Sequence, residues 1–369
     1  MRFLFWFSGA LIVYANLGYA VLLRLIAAVH SRSHTRLPIT PRVSIVMVAH
    51  NEEKNLSTKL TNVASLEYPQ DLVQIVVASD GSTDQTEAIL RAAGERITSV
   101  ILPLKKGKAA ALNEAVKRAT GEILVFFDTR QSVDSKCVRE LVSCFADPEI
   151  GAVSGELLLV DGEGRPAGDA LGIYWRIEKT IRRLESVTGS VVGVTGAIYA
   201  LRRELYVELP KGTLLDDVLV PMNAARTGKR IVFLPTAIAL DRIFEDPGRE
   251  FSRKVRTLTG NYQLLALSPW LLTPSNPLLF RFISHKLMRL LVPFLLVLLL
   301  LASIAAHGWF YRASLAFQLI FYGLAGLGWL GPRMRQWRIV GIAWTFVMLN
   351  FAAAVAFYNF LRGRNAVWG

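Results

Sequence analysis

The chain has 369 residues, of which 52% are hydrophobic and 19% are charged. This composition is too apolar for an ordinary soluble protein, and it excludes an intrinsically disordered one. The net charge of +13 suits nucleic acid, a membrane surface or a phosphorylated ligand, whereas two cysteines and five scattered histidines argue against a zinc site.

The apolar residues are concentrated at the two ends of the chain. Residues 3–23 form an almost uninterrupted apolar run, long enough to cross a hydrocarbon core of about 30 Å. We therefore predict a transmembrane helix at residues 1–28, with a cleaved signal peptide as the alternative. Further apolar runs lie at 290–306, 313–330 and 339–361. They predict a membrane domain of about three transmembrane helices at 286–369, with a buried hairpin of a soluble protein as the alternative.

Arginine and lysine residues indicate how these runs cross the membrane. They follow the first run, precede the second and lie between the third and the fourth, whereas the opposite side carries fewer. We therefore expect an integral protein of the cell inner membrane, with residues from about 42 to 285 in the cytoplasm and both termini outside. Part of the basic excess then lies at the membrane surface, and no zinc-finger or similar signature supports nucleic-acid binding.

The segment between the membrane runs predicts alternating strands and helices. Apolar β-branched runs predict strands at 43–50, 73–80, 99–103 and 122–128. Helical patterns follow the first strand to about Ser65 and then cover 83–93 and 108–119. This alternation predicts an α/β domain with a mostly parallel sheet that is covered on both faces.

Polar side chains stand at the carboxyl ends of three predicted strands. They are His50-Asn51-Glu52, Asp80-Gly81-Ser82 and Asp128-Thr129-Arg130. Because parallel α/β sheets bind ligands beyond these ends, we expect one site there. G-x-G-x-x-G and G-x-S-x-G are absent, and Leu102 stands where a phosphate loop ending at Gly107-Lys108 needs its first glycine. The sequence therefore lacks the common motifs of dinucleotide-binding proteins, ATPases and hydrolases, and we exclude these classes.

Several segments resemble glycosyltransferase family 2. VSIVMVAHNEE, VVASDGSTDQT, KKGKAAALNEA and EILVFFDTR resemble its nucleotide-binding half, and GVTGAIYALRREL and LLDDVLVPM resemble its acceptor half. With the apolar runs, the chain is similar to membrane-embedded cellulose, chitin, hyaluronan and poly-N-acetylglucosamine synthases. The resemblance implies a cytoplasmic domain of the Rossmann-like GT-A fold at 40–248, followed by interfacial amphipathic helices at 249–285.

The same resemblance implies a reaction. It implies inverting transfer of a sugar from a nucleotide sugar, UDP by preference, to a growing polysaccharide, and it leaves export open. The first alternative is transfer of one sugar to a lipid acceptor. The second is an inactive nucleotide-sugar-binding or transport scaffold. A homo-oligomer or a partner subunit could complete an export channel, because four spans are few for one.

Three residues are expected to hold the donor by this resemblance. Glu52 and Asp80 would contact uracil and ribose. Lys108 would face the diphosphate from a helix start, where backbone N–H groups also favour anions. The plain structural alternatives are a helix-dipole partner for Glu52, a turn-forming side chain for Asp80 and a solvated surface lysine for Lys108.

The metal site of the family is incomplete in this sequence. Asp128 matches the first acid of its D-x-D motif, but Arg130 occupies the position of the second acid, which in the family holds Mg²⁺ or Mn²⁺. We expect Mg²⁺ or Mn²⁺ at Asp128, because magnesium uses few protein ligands. In the alternative, Arg130 itself neutralises the diphosphate through bidentate hydrogen bonds.

Asp216-Asp217 resembles the acidic element of the family's acceptor half. Asp217 is the expected general base, with Asp216 beside it. Burial near a second carboxylate raises the pKa of an acid, which suits this role. The alternative is that both acids merely begin a helix and interact with its dipole.

The processive synthases carry Q-x-x-R-W on an amphipathic helix at the membrane surface. Residues 253–257 resemble this motif only in part: Arg256 matches the arginine, Arg253 replaces glutamine and Thr257 replaces tryptophan. Arg253 and Arg256 are expected to contact the diphosphate. Tyr262 or Trp270 could replace the missing aromatic ring, and an interfacial helix with a basic face is the alternative.

Three residues are candidates for the acceptor side. Trp175 could stack on a sugar face, although packing against the sheet or the membrane is an equal alternative. Thr195 and Gly196 lie in VVGVTGAIYAL, where the glycines permit a close approach of the backbone to the acceptor.

Overall fold

Eight strands form one sheet in the computed structural model, which describes residues 1–160, 172–242 and 247–363. They are β1 (Val43–Ala49), β2 (Val73–Asp80), β3 (Thr98–Leu102), β4 (Ile123–Phe127), β5 (Ser132–Val133), β6 (Ile150–Val160), β7 (Ile198–Arg202) and β8 (Arg230–Arg242). Across the described sheet their order is β3-β2-β1-β4-β7-β6-β8-β5. Neighbours that are not consecutive in the chain require crossover connections, as expected for an α/β protein.

The first half of the sheet is parallel. β1 pairs with both β2 and β4, and β2 pairs with β3. The helices α3 (Leu56–Ala64), α4 (Thr86–Ala92) and α5 (Lys108–Arg118) make the connections. The four strands and three helices predicted for this region are therefore confirmed. The carboxyl ends of β1, β2 and β4 consequently meet at one edge.

The second half of the sheet is mixed. β7 is antiparallel to both β4 and β6, β8 is parallel to β6, and β5 is antiparallel to β8. Because Ile198 of β7 lies opposite Phe127 of β4, the residues that precede β7 arrive at the carboxyl end of β4. Four of the seven described pairings are parallel, so the predicted α/β class with a mostly parallel sheet is confirmed.

Alternate residues of the central strands pack on opposite faces of the sheet. Val46 and Val48 of β1 belong to a buried cluster with α5 and with α8 (Asp216–Arg226). Ile45 and Met47 belong to a second cluster with α3 and with α6 (Cys137–Ser143). This alternation follows from the two-residue period of a strand, and it confirms that both faces are covered.

Long apolar helices lie at both ends of the chain. α1 (Arg2–Val13) and α2 (Tyr19–Val29) are continuous through a π-helical turn, Tyr14–Gly18. α10 (Leu279–Phe282) continues through a second such turn, Ile283–Leu287, into α11 (Met288–Ala305). The remaining helices of this region are α12 (Trp309–Trp329), α13 (Pro332–Arg335) and α14 (Arg338–Leu361).

Among the described helices, three are long and apolar enough to cross a membrane. They are Arg2–Val29, Leu279–Ala305 and Arg338–Leu361. The apolar run at 313–330, which we predicted to span the membrane, lies in α12. This helix is long enough to cross a membrane, but it is not among these three helices. α12 carries Arg312 and Gln318, and the buried Gln318 amide donates a hydrogen bond to Ser303 Oγ of α11 at 2.8 Å. These polar groups explain its lower apolarity.

Two helices connect the sheet to the membrane region. α7 (Gly172–Val187) packs against α2, where the buried Ile181 contacts Tyr19 and Leu23. α9 (Pro247–Leu267) packs against α14 and passes close to the segment before α8. A Cβ atom on Gly260 would lie 2.6 Å from Leu215 Cγ, so only glycine permits this approach. α9 is thereby held beside Asp216 and Asp217.

Candidate functional site

A cleft of about 290 Å³ opens where β1 and β4 end, between the start of α8 and α9. Most of the predicted site residues line it, although they come from distant parts of the chain. They are Glu52, Lys108, Asp128, Arg130, Gly196, Asp216, Asp217, Arg253 and Arg256. Residues at the carboxyl ends of β1 and β4 therefore lie close together, as the parallel sheet led us to expect. The cleft combines four acidic and four basic side chains.

Asp80 is buried beside the cleft, and it is not among the lining residues. Its carboxylate accepts hydrogen bonds from the backbone N–H groups of Lys106 and Gly107 at 2.7 and 2.9 Å. Gly81 has a φ of +60°, and a Cβ atom there would lie 2.3 Å from Lys105 N. In the described structure, Asp80 therefore holds the loop that leads to Lys108. The contact predicted between Asp80 and the nucleotide stays a prediction.

Lys108 is the central cation of the cleft. It is the first residue of α5, and its ammonium lies 3.1 Å from Asp128 Oδ1 and 3.2 Å from Asp216 Oδ2. Burial alone would lower the pKa of Lys108, but the charges of Asp128, Asp216 and Asp217 raise it above its ordinary value. The lysine thus stays protonated and offers a fixed positive charge to an anionic group.

Asp217 lines the cleft from the first turn of α8. Burial, together with the charge of Asp216, raises the pKa of Asp217 to about 6, against the effect of Lys108. The backbone N–H of Val194 donates to Asp217 O at 2.8 Å, which fixes the preceding loop on this turn. A Cβ atom on Gly196 would lie 3.4 Å from Asp217 Oδ2, so the carboxylate packs directly against this glycine.

Arg130, which replaces the second acid of D-x-D, lines the cleft and binds the buried Asp241. Asp241 Oδ2 also accepts a hydrogen bond from Gln131 Nε2 at 3.1 Å. The ammonium of the buried Lys59 donates to Gln131 O at 2.7 Å, and burial lowers the pKa of Lys59 to about 8. Sequence reasoning missed Lys59 and Asp241. An acid near the end of β8 was the available signal for Asp241, whereas no local signal indicated Lys59.

α9 supplies the cleft with the side chains of its partly matched motif. Arg253, Arg256 and Thr257 all line the cleft. Burial lowers the pKa of Arg256 below its ordinary value, although the charges of Asp216, Asp128 and Asp217 act in the opposite direction. Tyr262 does not replace the missing tryptophan. It packs between membrane helices, with its ring 5.9 Å from that of Phe360.

Trp270 and Glu52 differ in their relation to the cleft. Trp270 does not line the described cleft, because its ring packs under Arg226, whose guanidinium carbon lies 5.0 Å from the ring centroid.

Glu52 lines the cleft and accepts a hydrogen bond from Asn55 Nδ2 at 2.7 Å. The backbone N–H of Glu52 donates to Thr86 Oγ1. The Glu52 carboxylate is thereby oriented at the end of β1.

The acceptor-side candidates have different positions. Gly196 contacts Asp217, as described above. Thr195 is buried beside it, where its hydroxyl donates to Gly155 O at 2.8 Å and accepts from Arg182 NH1 at 2.7 Å. It therefore supports the loop and is not among the residues that line the cleft. The side chain of Trp175 lies outside the described residues.

The donor set at Asp128 limits how a metal ion could be held. Among the described residues, no group of three or more His, Cys, Asp or Glu side chains is arranged for a metal ion. Asp128 nevertheless presents a carboxylate to the cleft with 38% exposure of its side chain. Magnesium is commonly held by one or two carboxylates together with substrate phosphates and water. The cleft fits this way of binding magnesium, with Asp128 as the single carboxylate ligand from the protein.

The sheet order and the acid at the end of β4 define an α/β domain of the GT-A type. Its fold is similar to that of a mannosyltransferase from Pyrobaculum calidifontis, determined in complex with GDP-mannose and Mn²⁺. The two share 23% sequence identity with a TM-score of 0.71, over 97% of this chain and 99% of that one.

The sequence comparison points to the same family as the resemblance. Residues 44–209 match the model described as Glycosyl transferase family 2. The chain is 30% identical to an N-acetylglucosaminyltransferase of Azorhizobium caulinodans, over 63% of this chain and 62% of the relative. It is 24% identical to a poly-beta-1,6-N-acetyl-D-glucosamine synthase of Staphylococcus aureus, over 60% of this chain and 55% of the relative. The chain thus spans about 60% of the length of these relatives.

Proposed function

We propose that the protein is an inverting membrane glycosyltransferase that moves a sugar from a nucleotide sugar to an acceptor hydroxyl group. The observation that carries the proposal is the position of Asp217. It is a half-buried acid with a raised pKa, and it shares one cleft with Lys108, Asp128 and Arg256. A proton acceptor and a site for a leaving diphosphate are both required for this reaction.

Each residue of the cleft has its own role in the proposed reaction. Asp217 takes the proton of the acceptor hydroxyl as its oxygen attacks the anomeric carbon. The bond from that carbon to the diphosphate breaks in line with the attack, which inverts the configuration. Lys108 and Arg256 neutralise the diphosphate that leaves, and Arg130, held by Asp241, adds a further positive charge beside them. Asp216 keeps Lys108 in place through their ion pair.

The nucleotide part of the donor is assigned to the strand-end residues. Glu52 would contact the base or the ribose directly, and Asp80 would support the same region by holding the loop before Lys108. The names of the two bacterial relatives support N-acetylglucosamine as the sugar, and the family resemblance of the sequence supports UDP as its carrier. The distribution of basic residues supports a cytoplasmic position for the catalytic domain.

A divalent cation is part of the proposal. Asp128 would hold Mg²⁺ or Mn²⁺ together with the donor diphosphate, and the ion would add positive charge at the leaving group. The mannosyltransferase of similar fold was determined with Mn²⁺. We expect EDTA to abolish transfer and added Mg²⁺ or Mn²⁺ to restore it. Transfer that continues unchanged in EDTA would remove the ion and leave its role to Lys108 and Arg130.

Two acceptors are compatible with this chemistry. The polysaccharide synthase among the relatives supports a growing polysaccharide. A single transfer to a lipid is supported by Thr257, because the position of the family's acceptor-stacking tryptophan lacks a ring. An export channel formed by this chain would need a second copy or a partner subunit, since three described helices are apolar enough to span.

Purified protein in lipid vesicles tests the proposed function. It is offered radiolabelled UDP-N-acetylglucosamine, UDP-glucose and UDP-galactose in parallel, with a bacterial lipid extract as the acceptor source. We expect one donor to yield a labelled product, which a gel sizes as a polymer and chloroform extraction identifies as a lipid. Donor binding without transfer or hydrolysis would instead support an inactive scaffold.

A further inference from the structure

Gln131 is a buried amide in the wall of the cleft, three residues after Asp128 in the chain. It lines the cleft, and the residue is only 5% exposed. Its buried Oε1 atom accepts no hydrogen bond from any residue that the structure describes. Buried polar atoms are nearly always hydrogen-bonded, because an unpaired one has lost its hydrogen bonds to water without replacement. The unpaired oxygen beside the cleft therefore points to a bound group as its partner.

The contacts of Gln131 decide which end of the amide is left for such a group. Nε2 donates to Asp241 Oδ2 at 3.1 Å, and Arg130 binds the same carboxylate oxygen. A carboxylate that is paired with a guanidinium only accepts hydrogen bonds, so the amide nitrogen must be the atom that faces Asp241. The carbonyl oxygen Oε1 is thus the free end, and it can only accept a hydrogen bond from an O–H or N–H group.

The main chain at Gln131 is held in place as well. Nζ of the buried Lys59 donates to Gln131 O at 2.7 Å and lies 4.7 Å from the centroid of the Phe127 ring. The next two residues form β5, which pairs with β8. Since both the backbone and Nε2 are held, the amide cannot turn to find another partner, and its oxygen is preorganised for a ligand.

The sheet order indicates which part of the donor lies near this amide. β4, β6 and β8 run in the same direction, because β7 is antiparallel to both β4 and β6, and β8 is parallel to β6. Asp241, near the end of β8, therefore lies at the same edge of the sheet as Asp128. In the described sheet, β8 is on the side of β4 away from β1 and β2, whose ends carry the residues assigned to the nucleoside. With the diphosphate at Lys108, a donor that extends along this edge places its sugar toward Gln131.

We propose that Gln131 recognises the sugar of the donor, with its Oε1 atom accepting a hydrogen bond from one hydroxyl group of that sugar. The inference rests on the proposed function and names a residue that selects among donor sugars. The diphosphate offers only hydrogen-bond acceptors, whereas a sugar presents several O–H donors. A sugar without a hydroxyl group at this position would leave the oxygen buried and unpaired, and sites of this kind discriminate strongly.

Binding of donors with and without the sugar tests the inference without requiring transfer. Titration calorimetry of the full chain in maltoside micelles uses UDP, UDP-glucose and UDP-N-acetylglucosamine. Gln131→Met keeps the length of the side chain but has no carbonyl oxygen. We expect it to weaken binding of the preferred UDP-sugar by about 3- to 10-fold, as for one lost hydrogen bond, and to leave UDP binding unchanged. The exposed Gln70→Met is the matched control.

Analogues of the preferred UDP-sugar that lack one sugar hydroxyl group at a time identify the group that contacts the amide. Removal of this hydroxyl group should weaken binding to the unchanged protein by about 3- to 10-fold. The same removal should have little effect on Gln131→Met, because the partner of the hydroxyl group is already lost. Gln131→Asn keeps an amide that is shorter by one methylene group, and it is a second variant with the same expected result.

Two results overturn the inference alone. One is an equal loss of UDP and UDP-sugar binding in Gln131→Met, which would mean that the amide supports Arg130 or contacts the nucleoside. The other is a series of analogues that lose the same affinity in both proteins, which would mean that a buried water molecule satisfies Oε1. Absence of nucleotide-sugar binding by the unchanged protein overturns the inference together with the proposed function. The expected binding pattern without any transfer contradicts the proposed function and supports the inference.

Discussion

At the scale of single residues, the proposed chemistry of the cleft depends on Asp217 and Lys108. The half-buried Asp217 has a pKa raised to about 6 by desolvation and by Asp216, whereas Lys108 is kept protonated by the acids around it. The two groups therefore hold opposite proton states near neutral pH. This separation is what a base and a leaving-group cation require.

The raised pKa of Asp217 predicts how activity depends on pH. A general base must be deprotonated, so kcat/KM should fall as the pH drops through about 6 and should level off above it. The measurement is kcat/KM for the sugar donor in lipid vesicles between pH 4.5 and about 8.5, with donor binding followed in parallel. An acidic limb that is absent, while binding stays constant, would contradict the role of Asp217.

Several of the residues could be predicted from the sequence, because strand ends are readable from local patterns. Glu52, Asp128 and Lys108 follow or flank apolar runs, and the parallel sheet brings them together. The position of Asp80 at a strand end was predicted in the same way, but the hydrogen bonds that its carboxylate accepts from the backbone of the loop at 106–107 were not. Lys59 and Asp241 are partners from remote positions, and only the packing of the chain reveals them.

At the scale of elements, α9 forms one wall of the cleft. Gly260 lets the helix approach the turn before α8, and Arg253, Arg256 and Thr257 are consequently carried to the cleft. The basic and apolar faces of α9 were predictable from its sequence. Its seat against Leu215 was not, because that contact depends on two segments far apart in the chain. The prediction at 313–330 was limited in a similar way by contacts between distant segments. The buried Gln318 donates a hydrogen bond to Ser303 of the neighbouring helix, and the sequence alone does not reveal this contact.

The position of α9 predicts the behaviour of Arg256 variants. Removing the guanidinium should weaken donor binding, because the diphosphate loses a charged hydrogen-bond donor worth about 1.5–3 kcal/mol. Arg256→Ala should therefore raise the Kd for the nucleotide diphosphate by about 10- to 100-fold, and Arg256→Lys by less. Titration calorimetry with UDP measures this, and the exposed Arg91→Ala is the control. Equal affinity of Arg256→Ala and the unchanged protein would show that this arginine does not hold the diphosphate.

At the scale of the whole molecule, the α/β domain is joined to the long apolar helices at two places. α7 binds the helix that begins at Leu279 through Glu178, Glu185 and His285, and α9 packs against α14 through Tyr262. Composition and apolar runs predicted the division into a membrane part and an α/β part. The buried ion cluster that joins them was not predictable, because its charges belong to segments about 100 residues apart in the chain.

The most direct measurement of the central claim compares donor binding and sugar transfer in Asp217→Asn. We predict unchanged binding of the nucleotide sugar and a loss of transfer of about 10²- to 10⁴-fold, because the variant keeps the shape of the side chain but cannot accept the proton. The exposed Asp71→Asn serves as the control and should transfer normally. Transfer by Asp217→Asn at the rate of the unchanged protein, with donor binding intact, would contradict the assignment of this residue as the base.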